Sequence, residues 1–142
     1  MKQIRKMKNK AGFTLVELMV VAIIVAILAA VAIPLMSSNK KRAAATECQA
    51  ALGTARAALR AMFAETGVYD KDLNGDTIAA VADIPGIETT DLDGRYFIYT
   101  DYSIVVAAST YTITATGRAT IPEAKDVVIT LNQAGTFTYA GL

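Results

Sequence analysis

The sequence predicts an α+β fold, with a long N-terminal helix (an apolar membrane-span half and an amphipathic half) laid across a small antiparallel β-sheet. Three observations carry that prediction. Residues 13–36, "FTLVELMVVAIIVAILAAVAIPLM", are almost wholly apolar. Residues 37–66 repeat their apolar positions at helical period, and residues from Arg95 onward alternate at period two.

The chain begins with a basic arm. Residues 1–12 contain Lys2, Arg5, Lys6, Lys8 and Lys10 and no acid, which reads as a leader that stays cytoplasmic. The net charge of +1 hides this asymmetry, because the arm holds five of the 14 bases. Without it, nine bases would face 13 acids, a formal charge of −4. Lys40, Lys41 and Arg42 on the far side weaken the asymmetry without reversing it. Beside so apolar a segment, the arm is not read as a nucleic-acid contact.

No charged residue occurs from Leu18 to Met36. As a helix these residues would span about 29 Å, close to the roughly 30 Å hydrocarbon core of a bilayer. Residues 13–36 therefore read as a single-pass membrane helix, which needs lipid or other subunits to cover it. Glu17 is the exception inside it. A charge near the centre of a bilayer is opposed by roughly 2.5 kcal/mol or more, so this carboxylate requires a role.

Residues 37–66 are rich in good helix formers. Cys48, Leu52, Ala55, Leu59 and Met62 make one apolar stripe, with Glu47, Arg56 and Arg60 off it. Gly67 is the expected stop. Pro34 and the Ser37-Ser38-Asn39 cluster are expected to kink or interrupt the helix between its halves. Lys40-Lys41-Arg42 reads as a solvated or headgroup-facing turn.

The remainder, residues 67–142, is the globular part. Residues 68–94 read as loop, with Gly, Asp, Asn and Pro between short apolar pieces. "RYFIYT", "YSIVVAA", "TYTITAT", "DVVITL" and "TFTY" then read as four or five antiparallel strands, with a tight turn at Asn132 to Gly135. Period two implies one covered face, and the stripe on residues 37–66 is the cover. Tyr96, Phe97, Tyr99, Tyr102, Tyr111, Phe137 and Tyr139 are explained by strand propensity and packing.

The chemical inventory argues against an enzyme. Cys48 is the sole cysteine, which excludes an internal disulfide and reads as a packed small residue. The chain has no histidine, and neither a Walker loop nor G-x-G-x-x-G appears. "DKDLNGD" is the one metal-like signal: Asp70, Asp72, Asn74 and Asp76 alternate as calcium ligands do, and Gly75 permits the turn. Val81 stands where an EF-hand needs glutamate, so Asp83, or Asp91 and Asp93, would have to complete the shell. The competing reading is a solvated acidic turn.

"KAGFTLVELMVVAIIVAILAAVAIP" resembles the N-terminus of type IV prepilins and of the pseudopilins of type II secretion. The resemblance rests on the basic leader, Gly12, Phe13-Thr14-Leu15, Glu17 four residues after Phe13, and the apolar run to Pro34. It implies leader cleavage between Gly12 and Phe13 by a prepilin peptidase and N-methylation of Phe13. It further implies an assembly role for Glu17, a helix break at Pro34, and a homopolymer built through N-terminal helices. An inner-membrane platform and its ATPase would drive assembly. The precursor would sit in the inner membrane with its N-terminus cytoplasmic, and the product in an extracellular pilus or, for a pseudopilin, the periplasm. Ala26 departs from the glycine many members carry. The two readings stay open: an incomplete calcium loop points to a major pseudopilin, and the strand-rich end to a pilin.

Overall fold

The computed structural model describes residues 12–142, so the leader expected at residues 1–12 lies, apart from Gly12, outside the described residues. Two units are distinguished, one ending at Met36 and the other running from Ser37 to Leu142. Helix α1 is assigned from Leu15 to Thr66, 52 residues in all. It ends as its sequence dictates. Gly67 takes φ of 77°, open to glycine without steric cost, and its N–H closes the last turn on the Phe63 carbonyl at 2.8 Å.

The helix assignment contains no interruption. Pro34 and Ser37-Ser38-Asn39 all lie inside the helix assignment. Proline removes one N–H donor and crowds the carbonyl four residues earlier. Ala, Leu and Met around it are good helix formers and offset that cost.

Within the second unit, the sheet has four antiparallel strands in the order β1-β2-β3-β4. They are β1 Tyr102–Ala107, β2 Thr110–Thr116, β3 Val128–Asn132 and β4 Phe137–Ala140. Tyr111, Ile113 and Ala115 of β2, with Ile129 and Leu131 of β3, are buried on one face. Thr112 and Thr114 alternate with them and stay in contact with solvent. Register pairs Ile113 with Leu131 and Ala115 with Ile129, so the apolar sets coincide. The β3–β4 connection is the expected one: Gly135 N–H donates to the Asn132 carbonyl at 2.9 Å, and Asn132 Oδ1 accepts from Thr136 N–H at 3.0 Å.

The predicted stripe is the cover. Cys48, Leu52, Ala55, Leu59 and Met62 are all buried, and Ala44 and Ala45 extend the stripe by a turn. They share one core with the buried strand residues and with Ile78, Val81, Ile84, Ile87 and Leu92. Those last five anchor the loop region, which is therefore less free than its composition suggests. Tyr69 bridges helix and sheet, stacked on Phe63 at 4.3 Å and edge-on to Tyr111 at 4.8 Å.

"RYFIYT" is not a strand. It bends into a 3₁₀ turn at Tyr99–Asp101, and its amide groups find carboxylates in place of a ladder. Arg95 and Tyr96 donate to Glu47 at 3.0 and 2.7 Å, and Phe97 donates to it at 3.1 Å. Ile98 and Tyr99 donate to Asp101 and Asp93, each at 2.8 Å. A buried amide needs an acceptor but does not require a neighbouring strand to supply it. The same device recurs in the loop, where Asp83 and Asp91 reach back to the amides of Ala80 and Glu88.

Candidate assembly site

Three residues precede the helix without helical structure: Gly12, Phe13 and Thr14. All three are exposed, and Phe13 retains 82% of its surface. Thr14 is the N-cap. Its Oγ1 accepts the Glu17 N–H at 3.2 Å, while Glu17 Oε2 accepts the Thr14 N–H at 2.7 Å and the Thr14 hydroxyl at 2.9 Å. This is a reciprocal capping box, which satisfies amides that the first helical turn leaves without partners. The T-x-x-E spacing that encodes it was present in "TLVE" and is the signal that sequence reasoning passed over.

The carboxylate also lies where the helix dipole favours negative charge. Glu17 thus has a structural function within one chain, beside any function between chains. Its bonds to Thr14 hold the carboxylate within one turn of Phe13.

From Leu18 to Met36 the helix carries no charge and is exposed on every side. Leu15, Val16, Met19, Ile23, Ile27 and Val31 are all more than half exposed. A stretch of α1 reaches a mean hydropathy of 3.1, long and apolar enough to cross a membrane. A helix apolar all round needs lipid or other helices to cover it. Pro34 lies near the end of this segment, and its own contribution is a missing donor.

Lys40 and Lys41 do not form a turn. Both are helical, and both bind the globular residues of their own unit. Lys40 Nζ pairs with Glu123 Oε1 at 3.0 Å, and Lys41 Nζ donates to the Gly141 carbonyl at 2.8 Å. The hydrogen bond from Lys40 holds the Glu123 carboxyl below its ordinary value.

The acidic loop closes on itself. Asp72 Oδ1 accepts the N–H groups of Asn74 at 2.9 Å and Asp76 at 2.8 Å, and Asn74 Nδ2 donates to Asp72 Oδ2 at 3.2 Å. Asp72 N–H reaches the Asp76 carbonyl at 2.9 Å, beside a bridge between Lys71 and Thr77. Among the described residues, no three His, Cys, Asp or Glu side chains gather so that they could hold a metal ion. Asp72 thus closes the turn on its own backbone, and Asp83, Asp91 and Asp93 are engaged on backbone amides elsewhere.

Two residues missed by sequence reasoning organise the globular part. Glu47 ties α1 to residues 95–97, and Asp101 pairs with Arg118 at 3.1 Å. Both contacts join positions far apart in the chain, which leaves no local pattern to read.

Residues 7–33 match the family model described as the prokaryotic N-terminal methylation motif. The fimbrial protein EcpB of Eikenella corrodens is 35% identical over 72 residues, which are 51% of this chain and 45% of that protein. The chain therefore spans less than half the length of this curated relative. The crystal structure of the non-core minor pilin PilV of Neisseria meningitidis is similar at a TM-score of 0.49 and 16% identity, over 74% of this chain and 91% of that one. The similarity to the motif and to the fimbrial protein agrees with the resemblance seen in the N-terminal residues.

Proposed function

We propose that the chain is the precursor of a structural subunit of a type IV pilus-like fibre. A prepilin peptidase cuts it between Gly12 and Phe13, Phe13 is N-methylated, and the subunit polymerises through residues 13–36. The observation that carries this reading is the exposed apolar segment opened by one carboxylate fixed close to the cut. The exposed, non-helical Gly12-Phe13 bond supports it, because a peptidase needs an extended and accessible backbone.

In this scheme the inner membrane stores the apolar segment until assembly. An inner-membrane platform and its ATPase move it from lipid into contacts with other helices, which are equally apolar. Van der Waals contact between such helices gives little register of its own. Cleavage removes five basic side chains and creates an ammonium at Phe13. That ammonium pairs with Glu17 of a neighbouring copy, and each charge is costly without the other. Removing one partner of a buried pair costs roughly 3–5 kcal/mol, enough to select one axial register over others.

The test is a pair of substitutions. Glu17→Gln retains a side-chain acceptor for the capping box and removes the charge, whereas Glu17→Val removes both. Both variants are expected to insert in the membrane and to form no fibres. Normal fibres from Glu17→Gln would refute the pairing role. A major pseudopilin shares this N-terminal chemistry. Processed chain in sheared surface fibres supports the pilus, and processed chain confined to periplasm and membrane supports secretion.

A further inference from the structure

Asn74 and Gly75 are a pair whose own groups can react with one another. The Gly75 backbone nitrogen can attack the Asn74 side-chain carbonyl, because glycine has no β-carbon to shield that nitrogen. Once the nitrogen has lost its proton it bonds to Cγ, the Cγ–Nδ2 bond breaks, and the side-chain nitrogen takes up a proton and leaves as ammonia. Water then opens the resulting succinimide ring at either carbonyl, giving aspartate or isoaspartate. The net change is water in and ammonia out, with no oxidation and no cofactor. Of the chain's four asparagines only Asn74 precedes glycine: Asn9 and Asn39 precede lysine, and Asn132 precedes glutamine.

Both residues are exposed, so water reaches them freely. Asp72 nevertheless holds each reacting group. Gly75 N–H donates to the Asp72 carbonyl at 3.1 Å, which engages the proton that must leave before the nitrogen can attack. Asn74 Nδ2 donates to Asp72 Oδ2 at 3.2 Å, which ties down the group that must be expelled. Asn74 N–H donates to Asp72 Oδ1 at 2.9 Å and fixes the backbone between them. The carboxylate also opposes a negative nitrogen developing close by, as like charges do. Asp93-Gly94 is the related acidic pair, and it is secured in a similar way. Gly94 N–H donates to the Phe97 carbonyl at 2.7 Å, and Asp93 Oδ1 accepts the Tyr99 N–H at 2.8 Å.

We propose that Asn74 is a latent self-modification site, kept unreacted by Asp72 while the turn is closed and deamidated when the turn opens. The change runs one way. An asparagine amide donates to Asp72 Oδ2, whereas the product presents a carboxylate, which only accepts. Two like charges then face each other, and the turn loses the contact that kept it closed. The product also adds one negative charge to a turn that already carries Asp70, Asp72 and Asp76. A transient opening is thereby converted into a permanent one.

The test needs no fibres. The full chain in detergent is kept in mildly alkaline buffer, folded or unfolded in urea, and the peptide containing Asn74 is followed by mass spectrometry. The unfolded chain is expected to convert Asn74 to a mixture of aspartate and isoaspartate, while the folded chain retains it. Folded Asp72→Ala is expected to deamidate at Asn74 roughly five- to thirtyfold faster than the folded wild type, the rise in open population that losing these contacts brings. Glu47→Ala weakens the protein at a distance from the turn and is expected to leave the rate unchanged. Equal rates in folded Asp72→Ala and folded wild type overturn the proposal. So does a wild-type rate that is the same folded as unfolded, or an unfolded chain that retains Asn74. Acceleration by Glu47→Ala to the level of Asp72→Ala overturns it as well, because the turn would then open only with the rest of the protein.

Discussion

Glu47 Oε1 accepts the backbone N–H of Tyr96 at 2.7 Å, across 49 residues of sequence. The same carboxylate takes the amides of Arg95 and Phe97, so one side chain satisfies three consecutive donors. The approach is close enough that a Cβ on Gly94 would collide with Glu47 Oε1. Glycine is required there because the carboxylate occupies the space a side chain would fill.

Glu47→Ala is therefore expected to destabilise the protein by about 2–4 kcal/mol, since hydrogen bonds to charged groups contribute about 1.5–3 kcal/mol and buried amides would lose their partner. Glu47→Gln keeps one acceptor oxygen and loses less. Gly94→Ala destabilises in the same direction by displacing Glu47. Urea denaturation of the three variants measures all of this. A loss below 1 kcal/mol for Glu47→Ala would show that water replaces the carboxylate.

The Cys48 thiol is fully buried on the helix stripe. Burial, reinforced by the neighbouring Glu47 charge, pushes it up from 9.0 to about 12. Burial also raises the Tyr102 and Tyr111 phenols. A raised value means the folded state holds the proton more tightly. The resulting stability is complete below about pH 9 and declines as pH rises toward about 12. Cys48→Ala is expected to flatten part of that decline, read by melting temperature against pH. The native thiol should also resist a disulfide reagent until the chain unfolds.

The capping box separates two functions of the N-terminal segment. Thr14→Ala is expected to cost about 1 kcal/mol of local helix stability, the usual cost of losing such a cap. It leaves the Glu17 charge in place, so fibres still form. Faster amide hydrogen exchange at Leu15 to Leu18 with normal fibres is the expected pair of results. Loss of fibres would mean that capping itself is what assembly needs from this segment.

The acidic turn at Asp70 to Asp76 carries its own partners. Millimolar calcium is expected to leave the melting temperature unchanged, as is a chelator. Asp72→Ala, by contrast, removes the acceptor for two amides and lowers stability by roughly 1 kcal/mol. A calcium-dependent rise in melting temperature would show that the turn reopens to bind the ion.

The sequence is most legible where composition alone decides. The apolar run, its charge-free length and the basic arm need no knowledge of the rest of the chain. The helix stripe from Cys48 to Met62 and the strands of β2 and β3 are legible for a related reason, because burial on one face imposes a period. "RYFIYT" has the composition of a strand and is not one, because its acceptor lies on a helix 48 residues earlier. Pro34 looks like a break, yet the surrounding helix-formers outweigh it. The Asp101–Arg118 pair is invisible for the same reason as the Glu47 contact: each joins positions far apart in the chain. Thr14 differs from these, since its capping role is written in the local spacing.

The central claim is that Phe13 becomes the first residue of an assembled subunit. Mass spectrometry of the N-terminal peptide from sheared, microscopically verified fibres tests it directly. The account predicts a peptide that begins at N-methylated Phe13 and contains Glu17. A fibre-borne peptide that still begins at Met1 would contradict it.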